Sequence, residues 1–523
     1  MFVRRSIVCG NGNENYSERN TMNPSIVIRD ITLFMFAIIT IASSQSIYHV
    51  NSVLGNNTTG TGSAAAPFRT ITKALSVSAA EGDSIKVAPG TYNSALGETF
   101  PIEMLSGRKL IGVSGATVTV IDAAGSKNRV FNCIGNSNAT IIQGFTITGG
   151  FSIDTTSGGV TAKGGGIFIG NSSQTVIQQN IITKNTARGY DFYQAGLGAL
   201  NGGSCYGGGI YIAGSAPVIR NNVISHNLAY GGGGQDFRGG WSGNGSAGGN
   251  ADGGGIHAAF GGASVIINNT FYANRAVGGF GGSSNALNAG NGGNAVAGAL
   301  NAGSSAVVTN NIFCNNEASG GTVGGGANGS NGTSSDGALM SFAAGNCSYN
   351  LFFNNKAGTA PNGSTLGSNV LLADPLFVSE TDLHLLPLSP ARKAGTATGA
   401  PAKDLDGTIR SNPPSIGAFE GSSPTSVSLT RPAVVERFEL VQNYPNPFNP
   451  TTTIGFTLQV PGQTSLKIYD AIGREVATLV NENLEAGVYH QRTFDATHLS
   501  SGIYVARLQS GSQTLTTKMV LMK

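Results

Sequence analysis

Residues 207–234 read GGGIYIAGSAPVIRNNVISHNLAYGGGG. Two short runs of β-branched residues, each followed by asparagine, are walled in by glycine. The arrangement returns along the chain. Aligned on Asn180, Asn222, Asn269, Asn311 and Asn350, successive units are 42, 47, 42 and 39 residues apart. Five residues after each comes a second asparagine: Asn185, Asn227, Asn274, Asn316 and Asn355. Seven after each comes alanine: Ala187, Ala229, Ala276, Ala318 and Ala357. Three before stand Ile177, Ile219, Ile266, Val308 and Cys347; two after stand Ile182, Ile224, Phe271, Phe313 and Phe352. The unit is apolar-x-x-Asn-x-apolar-x-x-Asn-x-Ala.

Short strands with turn residues at fixed offsets, repeated at a near-constant length, predict a solenoid. No 10–15-residue helical period intervenes, so the parallel strands belong to a β-helix and not to βαβ units. Equivalent residues then stack coil upon coil at about 4.8 Å. The Ile and Phe columns fill the interior. The two Asn columns are predicted at the turns, because Asn tolerates the left-handed backbone conformation and stacked amides hydrogen-bond from rung to rung. Alanine after the second Asn is expected at a tight bend. The glycine-rich inserts, such as YGGGGQDFRGGWSGNGSAGGNADGGG (230–255), are expected to project from one edge and stack on each other. They are read either as loose decoration or as the wall of a groove.

Composition agrees with an exported repeat protein. Glycine accounts for 78 of 523 residues, charged residues for only 11%, and the net charge is +3. No basic block is present, which gives nucleic acid no footing as a partner. Residues 22–46, MNPSIVIRDITLFMFAIITIASSQS, carry Arg29, an apolar run and small residues. They read as a secretory signal spanning 1–44, with Met22 as the expected start. No later apolar run is long enough to cross a bilayer. Cys133, Cys205, Cys314 and Cys347 follow no metal spacing and are expected as buried small hydrophobes.

Three segments at the start, GTGSAAAPFRTITKAL, GDSIKVAPGTY and GETFPIEMLSGRKLIG, resemble the N-terminal part of bacterial pectate-lyase-like, right-handed parallel β-helix proteins. ADPLFVSETDLHLLPLSPARKAG and DLDGTIRSNPPSIGAFE resemble their closing segment. Farther on, YPNPFNPTTTI, IYDAIGREV, GVYHQRTFDATHLSSGIYVARL and KMVLMK resemble the C-terminal type A sorting domain of type IX secretion substrates. These resemblances imply an all-β chain in parts. A leader occupies 1–44, a right-handed parallel β-helix 45–425, a linker 426–436, and a small immunoglobulin-like β-sandwich 437–523. They also imply export to the cell surface or beyond by the type IX machinery.

Two classes of function fit. One is a surface protein that binds extracellular polysaccharide or serves a structural, adhesive role. The other is a polysaccharide lyase or glycoside hydrolase, with calcium as the cofactor a lyase would need. Such enzymes require clustered carboxylates. From Gly164 to Ala357 there are five, Asp191, Asp236, Asp252, Glu317 and Asp336, and none is expected on a repeated strand column. The reading therefore leans away from catalysis. The candidate ligand-binding residues sit in two consecutive inserts: Arg188, Tyr190, Asp191, Phe192 and Tyr193, then Asp236, Phe237, Arg238 and Trp241. Asp191 and Asp236 stand 45 residues apart, about one coil, and are expected side by side. The aromatics would offer a stacking platform for sugar rings, or simply pack one loop on the next. His226 and His257 are expected as solvated strand-edge residues. Asp404–Gly407, DLDG, is expected as an end-cap turn.

Overall fold

The structure, a computed structural model, describes residues 45–153, 161–192, 200–237, 243–258, 262–285, 287–341, 344–421, 438–440, 443, 446–458, 462–484 and 489–522. The expected leader and linker lie outside them. Among the described residues, no helix is long and apolar enough to cross a membrane.

The coils build five parallel sheets. One coil shows the plan: Val176–Gln178 in sheet 1, Ile181–Thr183 in sheet 2, Thr186–Arg188 in sheet 3, then an insert, Cys205–Tyr206 in sheet 4 and Ile210–Ile212 in sheet 5. Each strand pairs with its equivalent one coil on. Ile177 pairs with Ile219, Ile182 with Ile224, Ala187 with Ala229 and Ile167 with Ile210. The crossover between paired strands is a whole coil, and the fold is the right-handed parallel β-helix. Earlier coils lack sheets 3 and 4, which have five strands against nine in sheets 1 and 2.

The interior is filled by the predicted columns. Ile177, Ile182, Ile219, Ile224, Ile266, Phe271, Val308, Phe313, Cys347 and Phe352 are all buried in one core. Phe271, Phe313 and Phe352 stack with centroids 4.8 and 5.0 Å apart, worth about 0.5–1.5 kcal/mol per pair beyond area burial. All four described cysteines are buried thiols.

The asparagines do form files, but they are not the left-handed residues. That conformation belongs to the residue before each one: Gln179, Asn221, Asn268, Asn310 and Tyr349 have φ between 53° and 57°. This frees the ladder amide to face the buried turn. The Nδ2 of Asn222 donates to the Ile177 carbonyl one coil back (2.9 Å) and to Asn269 Oδ1 one coil on (3.0 Å). Buried turn groups are thereby satisfied, each of which would otherwise cost about 1–3 kcal/mol.

The repeated alanine is also corrected. Ala187, Ala229, Ala276 and Ala318 make no bend. They point inward from sheet 3 and pack on Ala162, Cys205, Ala251 and Ala295 of sheet 4 in a second, thin core. Small side chains let the two sheets close on each other, so the insert leaves the solenoid as a tight double strand.

At the N-terminal end, the helix Ile71–Val77 covers the open core, with Thr70 as its N-cap. Glu98 accepts the N–H groups of Ile71 and Thr72 at the same helix start. At the other end, residues 376–420 run back along the outside of sheet 2. Leu383, Leu385, Ile416 and Phe419 bury the outer side chains Val223, Tyr272, Ile312 and Leu351. Arg410 anchors this strap, donating to Asn221 Oδ1 (2.7 Å) and pairing with Glu420 (3.2 Å).

The C-terminal unit is a sandwich of two antiparallel sheets. One holds Glu439–Leu440, Thr451–Thr457 and Tyr489–Asp495; the other holds Gly462–Asp470, Glu475–Leu484, Gly502–Ser510 and Gln513–Leu521. Phe448, Ile454, Phe456, Leu466, Ile468, Leu508 and Met519 form its separate core.

Candidate functional site

The inserts do stack, and they do so as a slab two layers thick. Outgoing and returning arms alternate in one hydrogen-bonded series. Gly203 N–H donates to Tyr190, Gly232 to Gly203, Gly249 to Gly232, and Gly279 to Gly249, at 2.8–2.9 Å between carbonyl and amide. Burial follows a three-residue period, as in Asn288, Asn291 and Asn294, exposed, with buried pairs between them. That period is the polyproline-II repeat, which has no internal hydrogen bonds and leaves every backbone group to its neighbours. Glycine is required where two arms touch: a Cβ on Gly249 would stand 1.9 Å from the Gly203 carbonyl oxygen.

The residues expected as a binding site belong to the outgoing arm. Asp191 Oδ1 accepts the Gly233 N–H (2.7 Å), and Asp236 Oδ1 accepts the Ser283 N–H (2.6 Å). Both carboxylates therefore staple one coil to the next. The two are not side by side, because the hydrogen-bond register matches Asp191 with Gly233, placing Asp236 three residues farther out. Arg188 pairs with Asp191 (2.5 Å) and lies over the Tyr230 ring (5.5 Å). Tyr190 and Phe192 meet edge to face at 4.9 Å, and Phe192 is buried. Phe237 bridges to Ser284 of the next coil. Tyr193, Arg238 and Trp241 lie outside the described residues.

A second constellation, unexpected from the sequence, lies where sheet 4 turns into sheet 5. The outward middle residues of sheet 5 are Glu103, Asn132, Phe168, Tyr211, His257, Asn301 and Met340, paired in file, with Asn132 Nδ2 donating to Glu103 Oε1 (2.7 Å). Facing them across the glycine turn is the outward column of sheet 4, Lys163, Tyr206, Asp252 and Val296. Asp252 thus does occupy a strand column, as does Glu317, paired with Arg275 in sheet 3, contrary to expectation. His257 is likewise not a solvated edge residue.

The rings form a continuous stack. Phe168 and Tyr211 are 5.6 Å apart, and Tyr211 and His257 are 5.4 Å apart at 2°. Tyr206 leans against His257 at 4.8 Å. The faces are thus taken by neighbouring rings. Burial, and then the Asp252 charge, push the Tyr206 phenol above its ordinary pKa. Asp252 Oδ2 receives Asn301 Nδ2 (2.7 Å) and lies 3.3 Å from His257 Nδ1. Asp252 Oδ1 is buried with no hydrogen-bond partner among the described residues.

At the other end of the seam are two cations. The Arg129 guanidinium lies 4.9 Å from the Phe168 centroid, and Lys163 Nζ lies 5.5 Å from that of Tyr211. Neither forms an ion pair among the described residues. Burial holds Arg129 below its ordinary pKa, against the pull of Glu103. The seam therefore grades from cationic, through aromatic, to a His–Asp–Asn end. Its signal was present in the sequence. The fifth residue of GGGIFI, GGGIYI and GGGIHA supplies one column, and the residue just before each glycine run supplies the other. Among the described residues, no three His, Cys, Asp or Glu side chains group to hold a metal ion.

Comparison with known proteins bears on both units. Residues 53–202 match a family described as "Protein of unknown function (DUF1565)". Residues 442–522 match the secretion system C-terminal sorting domain. The protein is thus a parallel β-helix carrying a type IX sorting domain, destined for the cell surface or the exterior. No curated protein matches the chain. Among solved structures, it is similar to a GH136 lacto-N-biosidase from Eubacterium ramulus, at 10% identity over 63% of this chain and 68% of that one. The TM-score is 0.21, a superposition from which no activity follows.

Proposed function

We propose that this protein binds extracellular polysaccharide, and that a glycan strand lies along the seam between sheets 4 and 5. The observation that carries the reading is the pair of cations, Lys163 and Arg129, held over rings with no ion pair among the described residues, Glu103 acting on Arg129 only from beyond contact distance. They border a file of ring edges ending in Asp252 and Asn301. Neither the Tyr206 nor the Tyr211 hydroxyl has a protein partner among the described residues. Tyr211 and Asn301 are buried within the strip, while Lys163, Phe168 and Tyr206 are partly exposed; the exposed part offers a phenol to sugar hydroxyls and a counter-charge to acidic groups on a sugar. The closing strap lies over sheet 2, not over this seam. Export to the cell surface or exterior supports the reading, since extracellular polysaccharide is met there.

A second reading has one observation in its favour. Asp252 Oδ2 lies 3.3 Å from His257 Nδ1, beside Tyr206 and outside hydrogen-bond geometry; closing that contact would make an oriented general base.

The test is glycan-array binding by the purified full chain, followed by calorimetry on the best soluble oligosaccharide. Lys163→Ala and Tyr211→Ala should each weaken binding about tenfold, the ~1.4 kcal/mol of one good contact. Asp191→Ala should leave it unchanged. Loss of binding in Asp191→Ala or Asp236→Ala, with the seam variants unaffected, would move the site to the inserts. Release of shorter or unsaturated sugars, abolished by His257→Gln, would replace binding with catalysis.

A further inference from the structure

The returning arms of the slab carry a regular grid on their outer face. Ser204, Asn250, Asn294 and Thr333 form one file; Asn201, Ala247, Asn291 and Ser330 form the next; Asn244 and Asn288 begin a third. Ser204 and Asn250 stand two residues before Tyr206 and Asp252, so they share a face with the seam.

Five of the six asparagines of this grid are oriented alike; the sixth, Asn288, accepts from Asn328 Nδ2 (2.9 Å). Asn250 Oδ1 accepts the Asn294 N–H (2.8 Å), and Asn294 Oδ1 accepts the Thr333 N–H (2.9 Å). Asn201 Oδ1 takes Ala247 (3.0 Å), Asn244 takes Asn288 (3.2 Å), and Asn291 takes Ser330 (2.9 Å). Each oxygen is committed to the next coil, and no Nδ2 of these five donates within the protein among the described residues. Fixing the oxygen fixes the amine. The positions of this face repeat at about 4.8 Å from coil to coil and at roughly 9 Å along each arm, three residues of polyproline-II rise; on them Asn250 and Asn294 present uncharged N–H donors on adjoining coils, Asn201 and Asn291 on either side of Ala247, and Asn244 in the third file.

We infer that this donor grid is a docking surface for polysaccharide chains packed side by side, as on an insoluble glycan particle. The inference rests on the glycan reading above for the class of partner, and goes beyond it in the form that partner takes. A surface whose positions are periodic in two directions, with five of them bearing amide donors and none bearing charge, matches a partner periodic in two directions and rich in acceptor oxygens. A single dissolved chain would engage one file and leave the others idle. The files run parallel to the seam, so chains on the grid would lie parallel to a chain in the seam.

Replacement of Asn by Asp keeps the oxygen that accepts from the next coil and removes the N–H donors. The experiment compares wild type, Asn291→Asp/Asn294→Asp, and Thr322→Asp/Val323→Asp, which adds the same charge on the outgoing arm. The readout is sedimentation of the full chain with cellulose, chitin and other insoluble polysaccharide particles, alongside thermal melting and light scattering. We expect particle binding to fall at least tenfold in the asparagine pair alone, with melting unchanged and with soluble oligosaccharide binding at the seam retained. Equal loss in both pairs would assign the effect to charge and overturn the proposal. Absence of particle binding by the wild type, with soluble binding intact, would overturn it and leave the seam reading standing. So would wild-type self-association that disappears in the asparagine pair, which would make this a face for a second copy.

Discussion

Asn222 and Asn269 stand one coil apart and share two hydrogen bonds: Asn269 Oδ1 accepts both the backbone N–H and the Nδ2 of Asn222, each at 3.0 Å. The same pair of bonds joins Asn269 to Asn311 at 2.9 and 3.1 Å. One side chain thus serves two coils. Asn269→Leu removes an acceptor for two donors and the donor for the Ile219 carbonyl, all of them buried. The expected cost is about 2–4 kcal/mol, two or more orphaned groups at the usual penalty. Denaturant unfolding followed by far-ultraviolet dichroism measures it. A change below 0.5 kcal/mol or so, the size of an ordinary surface substitution, would deny the ladder a role in stability.

The slab makes a contrasting prediction for glycine. Gly249→Ala sets a methyl group against the Gly203 carbonyl, so adjoining arms must separate. Amide exchange in 200–204 and 245–250 should accelerate at least tenfold, while exchange in the sheet 1 and sheet 2 strands stays unchanged. Uniform acceleration would mean that slab and solenoid unfold as one body.

Removing one partner of the strap's buried ion pair should be costly. Arg410 and Glu420 side chains are 3% and 5% exposed, and Arg410→Ala leaves the carboxylate without its cation. Breaking such a pair costs about 3–5 kcal/mol. Arg410→Met, which fills the space without satisfying Asn221, should cost less than Arg410→Ala. Thermal denaturation of the two variants tests the order.

The strap also carries a pH dependence. His384 bridges Asp382 (2.5 Å) and Asp406 (2.6 Å). Partial burial opposes its charge, but the hydrogen bonds to Asp406 and then Asp382 outweigh it, and the imidazole is raised above 6.5. A raised folded-state pKa contributes stability that is fully present below the unfolded value and is lost as pH climbs through the folded one. Proteolysis of 376–420 should therefore quicken as pH rises above about 6.5. The increment should vanish in His384→Gln. Quicker cleavage on acidification through the same range would contradict it.

What the sequence disclosed was whatever repeats once per coil. Ile177, Ile182 and Asn180 stack because their equivalents lie at equal positions in every unit, and a file of that kind is visible in an aligned list. Left-handed Gln179 and Asn221 were hidden beside the asparagines that attracted notice. Asp191 and Asp236 were misplaced because 45 residues of chain differ from the 42-residue step of the hydrogen-bond register there. The seam was missed for a topological reason: Tyr206 and Tyr211 come together only once the Gly207–Gly209 turn folds sheet 4 against sheet 5. Nothing in a linear reading says that the residue before a glycine run faces the second residue after it.

Near-constant steps from Asn180 to Asn350 have a bearing on how such a chain is lengthened through descent. Each amide ladder ends, at either side of a coil, on groups that fit the next coil's beginning. A duplicated or deleted cassette of 42 residues or so would therefore splice in without new joints, changing the length of the rod while its cross-section stays the same.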